Sequence, residues 1–253
     1  MQSLNIFIAA TTDMQFNLYD RHLNLVESIR HEERAILTME QDHETGLIVT
    51  SGACGLAVWR AYRSLSLATT HVMERMFVFD ECPLWAGKII YDSTTGGKVY
   101  VILDRSVYVF DINWRSAVAY LKDIHEASVT NCLWYSRSQF YVTACSQGLI
   151  KCYSAVYRRS RDHNAAMVMG SPMNINDDSF RQVEPTALAL LHTFNVHTKA
   201  VTGLKLHPSV PGLLISAGLD GIIRVLNLEA LNQLFEVRLQ SGVTDIKVCS
   251  VRC

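Results

Sequence analysis

The residues with the chemistry to act as a hydrolase are three histidines, His31, His125 and His197, three aspartates, Asp13, Asp104 and Asp220, and one serine, Ser216. A Ser, a His and an Asp held together make a nucleophile, a general base and the carboxylate that orients it. The spacing argues for another role. His125 stands four residues before Val129, His197 four before Val201, and His31 five before Ile36. Residues that recur at one place in a repeating unit serve the unit's architecture. No G-x-S-x-G elbow accompanies Ser216, so the expectation is a chain without catalytic residues.

Other motifs offer less. Thr94-Thr95-Gly96-Gly97-Lys98-Val99 lacks the first Gly and the Ser/Thr of a phosphate loop, and reads as a hairpin turn. Nine His and seven Cys show no paired metal-ligand spacing; Cys249 and Cys253 have no partner pair. Asp177 and Asp178 lie beside Asn174 and Asn176, without the Gly that bends a calcium loop. Neither a metal nor a cofactor is expected. Tyr157-Arg158-Arg159-Ser160-Arg161 is the one dense basic cluster, so Arg158, Arg159 and Arg161 are candidate partner-binding residues for an acidic surface.

The elements that position these residues repeat. Gly46-Leu47-Ile48-Val49-Thr50-Ser51-Gly52 matches Gly212-Leu213-Leu214-Ile215-Ser216-Ala217-Gly218, and Asn5–Asp13, Lys98–Asp104 and Gln139–Gln147 fit the same pattern. Each is an apolar run ending in small residues, then a turn, then an alternating run, which is strand-turn-strand patterning. Asp13, Ala53, Asp104, Gln147 and Asp220 each lie six residues before Tyr19, Trp59, Phe110, Tyr153 and Leu226. These markers are 40, 51, 43 and 73 residues apart. The longest interval shrinks to about 43 when the polar stretch 157–186 is an insertion, and 40–45 is the period of a four-stranded propeller blade. A second insertion is expected at about 61–86, holding Met73, Met76, Phe77, Phe79 and Trp85, with an ordered fourth strand and a covering loop. Glu27–Glu40 has charge spacing that suits a helix, yet the repeat register and Ile36-Leu37-Thr38-Met39 favour strand.

The pattern resembles the WD-repeat β-propeller family. That family has Gly-His opening a blade, an Asp in the turn between the second and third strands, and Trp-Asp closing the third. This chain keeps His31, His125 and His197, and Asp13, Asp104 and Asp220. The closing dipeptide survives loosely as Tyr19-Asp20, Trp59-Arg60, Phe110-Asp111, Tyr153-Ser154 and Leu226-Asn227. The resemblance implies an all-β propeller. It also implies a buried network joining the His to a second-strand Ser or Thr, the turn Asp and the Trp; only the last repeat keeps His197, Ser216 and Asp220 together.

The expected architecture is a single propeller over 1–253, with four complete blades and a partial blade formed by the two termini. The chain begins in the second strand of one blade and ends in the first strand of another. Either the ends complete one blade, closing a five-bladed ring, or the chain is part of a longer propeller. The second is favoured, because an open ring leaves strand edges unpaired and five blades is a small number.

Composition sets the remaining bounds. The chain has 253 residues, 49% hydrophobic and 19% charged, with Lys+Arg 23 against Asp+Glu 24. Such a chain folds, and it has no basic surplus to draw it onto nucleic acid. No run of 18 apolar residues and no basic leader appears, and the odd cysteine count without a C-x-x-C pair fits reduced thiols in the cytoplasm. The resulting expectation is a non-catalytic scaffold binding other proteins of a multi-subunit complex. Weak Trp-Asp positions and long insertions are similar to the divergent WD-repeat proteins of cilia and flagella. The alternatives are an enzyme using the propeller face, and a propeller that binds nucleic acid or phosphoinositide.

Overall fold

The computed structural model describes residues 6–31, 35–41, 45–53, 55–63, 71–79, 82, 86, 88–92, 97–155 and 185–248. Among these, 19 strands and no helix form five antiparallel sheets. The first sheet has three strands, β1 (Phe7–Ala10), β2 (Gln15–Tyr19) and β3 (Leu25–Arg30). The second holds β4 (Ile36–Gln41), β5 (Leu47–Gly52), β6 (Gly55–Arg63) and β7 (His71–Phe79). The third holds β8 (Lys88–Asp92), β9 (Lys98–Leu103), β10 (Ser106–Asp111) and β11 (Ser116–Leu121). The fourth comprises β12 (Val129–Tyr135), β13 (Phe140–Cys145), β14 (Leu149–Ala155) and β15 (Leu188–Asn195). The last comprises β16 (Val201–Leu206), β17 (Leu213–Gly218), β18 (Ile222–Asn227) and β19 (Asn232–Arg238). Within each sheet the strands join their neighbours in sequence order. Four complete blades and a three-stranded one are the propeller organisation expected from the repeats.

The strands of the second, third and fourth sheets are apolar on both faces because a neighbouring sheet covers each face. Val49, Val58 and Phe79 of the second sheet bury against Val99, Val101 and Phe110 of the third. Tyr100, Val107 and Val109 on the other face of the third meet Cys132, Tyr141 and Tyr153 of the fourth. Val142, Ile150, Cys152 and Phe194 continue into Leu204, Leu214 and Leu226 of the fifth. Phe16 and Leu18 of the first sheet pack on Ile48, Trp59 and Met73 of the second. Fully burying one such side chain stabilises by roughly 1.5–3 kcal/mol, so the faces between sheets hold the molecule together.

Within the segment 27–40, residues 27–30 lie in β3 and 36–40 in β4, both strand. The expected fourth strand within 61–86 is β7, with Met73 and Phe79 buried and Trp85 outside the described residues. Among the described residues, Cys82, Cys132, Cys145 and Cys152 are buried. Burial pushes the Cys82 and Cys152 thiols up to about 12, so they pack as small apolar groups.

The C-terminal segment departs from the expectation of a first strand. Residues 242–248 form no strand, and 249–253 lie outside the described residues. The segment nonetheless follows the inner strands. Asn131 Nδ2 of β12 donates to the Thr202 carbonyl of β16 at 3.2 Å, and Thr202 Oγ1 donates to the Val243 carbonyl at 2.7 Å. Val243 thus stands to β16 as Thr202 stands to β12.

Candidate interaction site

Two sets of residues carry the polar geometry of this molecule: a buried network at the turns between second and third strands, and exposed side chains at the opposite ends of the sheets.

The network is fullest in the last sheet. His197 enters it just before β16, Ser216 sits in β17, and Asp220 in the β17–β18 turn. Ser216 Oγ lies 3.0 Å from His197 Nε2, and Asp220 Oδ1 3.0 Å from His197 Nδ1. Asp220 also accepts the main-chain N–H groups of Thr198 at 3.0 Å and Ile222 at 3.1 Å. Burial holds the His197 ring below its ordinary range, against the pull of the Asp220 carboxylate. Burial works to raise the Asp220 carboxyl, yet the His197 bond and the two main-chain donors leave it below the usual carboxylate range. A neutral ring beside an ionised carboxylate fixes the tautomer: Nδ1–H donates to Asp220, and Nε2 accepts from Ser216 Oγ–H. The connectivity is that of a catalytic triad, but Ser216 is 0% exposed and no substrate carbon can reach its oxygen. The bonds instead tie the segment entering β16 to the turn leaving β17. Gly218 belongs to the same joint, because an added Cβ would lie 2.7 Å from His197 Nδ1 and 2.9 Å from Asp220 Oδ1.

Elsewhere the network is partial. His125, before β12, places Nε2 2.9 Å from Thr143 Oγ1 of β13, while Thr143 donates to the Lys151 carbonyl at 3.3 Å. With the hydroxyl proton so used, Nε2–H is the donor to Thr143. Nδ1 is buried and has no hydrogen-bond partner among the described residues. Gln147 stands at the turn position that Asp220 fills, which is why the carboxylate is missing. Burial, and then the nearby Lys151 charge, push the His125 ring down to about 4. In the second sheet Ala53 holds the turn position, and His31 rests against the rings of Phe16 at 4.6 Å and Trp59 at 6.1 Å. Thr50 there accepts the Trp59 Nε1–H at 2.9 Å.

Asp13 and Asp104 stand apart from any histidine network. Asp13 accepts from Thr11 Oγ1 within its own turn, and Asp104 accepts from Ser128 Oγ at 2.6 Å. Topology is the reason: Asp104 closes a turn of the third sheet, whereas His125 enters the fourth. Among the described residues, only the fifth sheet has both an entering His and a turn Asp. Thr50 and Thr143 are members that the residue list above lacks; both occupy the second-strand place of Ser216, which aligning the repeats would reveal.

The second set lies at the opposite ends of the sheets, where third strands turn into fourth and first into second. Trp114, between β10 and β11, is 75% exposed, and Leu23, between β2 and β3, is 70% exposed. Val210, between β16 and β17, is exposed on the same rim. These turns are held firmly. Asp111 Oδ1 accepts the N–H groups of Asn113 at 2.9 Å and Trp114 at 3.1 Å. Asp20 does the same for His22 and Asn24, and the His207 ring for Ser209 and Val210. The Arg115 guanidinium lies 4.8 Å from the centre of the Phe77 ring, pinning the base of the Trp114 turn. Arg158, Arg159 and Arg161 lie outside the described residues, as do Asp177 and Asp178. No group of three or more His, Cys, Asp or Glu among the described residues could hold a metal ion.

Against known families, residues 188–227 match the WD40 repeat, "WD domain, G-beta repeat". The match runs from β15 through β18 and takes in His197, Ser216 and Asp220. No curated protein matches the chain. A WD40 repeat suggests an interaction scaffold.

Proposed function

We propose that this chain is a non-catalytic scaffold that docks other proteins of a multi-subunit assembly on the rim carrying Trp114, Leu23 and Val210. The observation behind it is Trp114: a large, amphipathic ring, 75% exposed, on a turn fixed by the Asp111 carboxylate. A pre-positioned Trp loses little freedom on binding and is the residue type that most often dominates an interface. The WD40 match supports the same role. The proposal places the protein in the cytoplasm, at cilia or flagella. Its support is the likeness of the loose closing dipeptides and long strand connections to divergent WD-repeat proteins of those organelles.

Affinity purification of the full chain from ciliated cells, side by side with Trp114→Ala and Leu23→Ser, tests the proposal. The expected result is a stable partner set held by the parent chain and lost from the Trp114→Ala protein, with unchanged thermal unfolding. An identical set for both proteins, or none for either, would overturn it. Imaging of the tagged chain at the axoneme checks the location.

A further inference from the structure

The last strand presents a surface that the buried network and the exposed rim both leave unused. β19 is the edge of its sheet, bonded to β18 alone among the described strands. Leu234, Phe235, Val237 and the adjoining Leu239 are 49%, 56%, 45% and 49% exposed. A long apolar edge strand with open main-chain groups is a template for another strand.

We propose that β19 pairs antiparallel with β19 of a second copy of this chain, across a two-fold axis through Val237. The register follows from parity and charge. Leu239 N–H donates inward to the Gly221 carbonyl at 2.7 Å. Main-chain groups alternate sides along a strand, so those of Val237 and Phe235 also face β18, and those of Glu236 and Arg238 face the open edge. The register irregularity at β18 Val225/Leu226 falls before Phe235 and leaves this stretch regular. A two-fold pairing that matches outward groups with outward groups centres on Phe235, Glu236, Val237 or Arg238. Centring on Glu236 or Arg238 sets like charges opposite each other, which destabilises. Centring on Phe235 sets Glu236 opposite Leu234. Centring on Val237 sets Glu236 of each copy opposite Arg238 of the other, twice, with main-chain bonds exchanged at both pairs. It also sets Phe235 opposite Leu239 twice around a central Val237 pair. Side chains alternate, so the charged pairs lie on one face and the six apolar side chains gather on the other. One self-complementary patch thus satisfies a closed two-fold dimer.

Sedimentation of the full 253-residue chain between about 1 and 100 µM tests this. The parent chain is expected to double in mass with concentration. Arg238→Glu, at an exposed position, should weaken the dimer by about tenfold or more, since it sets like charges opposite twice. Glu236→Lys should do the same; it also removes the 3.1 Å contact to Arg224, so its far-ultraviolet dichroism is checked against the parent. Mixing the two variants restores both opposite-charge pairs, and the mixture should dimerise where neither variant does alone. A parent chain that stays monomeric throughout would overturn the proposal. So would a dimer indifferent to either reversal, or two folded variants whose mixture stays monomeric.

Discussion

His125 and His197 are the same residue in two environments, and the difference is one turn position away. His197 has Asp220 on Nδ1; His125 has Gln147 at that place and a buried nitrogen with no partner among the described residues. Gln147→Asp should place a carboxylate on Nδ1 and draw the ring proton there, with Thr143 Oγ1–H turning to donate to Nε2 as Ser216 does for His197, and raise stability by about 1 kcal/mol, read by urea unfolding; no gain would separate the two sites. Ser216→Ala should cost about 1–3 kcal/mol, because it leaves His197 Nε2 buried without a donor. The sign of the pH dependence follows from the His125 ring being held down to about 4, below its unfolded value near 6.5. The unfolded chain binds the proton first. The stability from a neutral His125 is therefore present above pH 6.5 and lost as pH falls toward 4. A His125→Gln protein should show a flatter stability profile across that window in denaturant titrations at stepped pH.

At the scale of the element, the closing dipeptide explains the lengths of the connections. Where its second residue is Asp20, Asp111 or Asn227, that side chain caps the following turn, accepting two main-chain N–H groups in each case. Where it is Arg60 or Ser154 the chain runs long before the fourth strand, from Arg63 to His71 and from Ala155 to Leu188. A short side chain with an acceptor oxygen closes a tight turn; Arg has no acceptor, and Ser154 is followed by a long insertion instead. Asp111→Ala should cost about 1–2 kcal/mol in thermal unfolding, while Ser154→Ala should cost almost nothing. The strands were legible because alternating apolar runs, small residues before the turn and the six-residue offset all repeat. The hydrogen-bond partners were less legible. Asp104 looks like Asp220 in the sequence, but its sheet has no entering histidine, so the resemblance of the turns carried over without the function of the carboxylate. Thr50 and Thr143 hold the same second-strand place as Ser216, but Ala53 and Gln147 stand where Asp220 does, so no complete His, hydroxyl and Asp set marks them in the sequence.

For the whole molecule, the repeats foretold stacked four-stranded sheets, and the rows of apolar residues found between them are the reason the strands lack a polar face. The last segment was harder to read, because whether 242–248 pairs as a strand depends on which edge it meets, not on its own alternation of Val243, Ile246 and Val248. Central to everything is the burial of one sheet's face by the next. Phe79 of β7 and Phe110 of β10 test it most directly, since they belong to different sheets and their ring centres are 4.9 Å apart. A double-mutant cycle with Phe79→Ala, Phe110→Ala and the pair, followed by urea unfolding, measures their coupling. Stacked sheets require single losses of about 3–5 kcal/mol and a coupling of about 0.5–1.5 kcal/mol. Independent, additive losses would mean that the two faces do not meet.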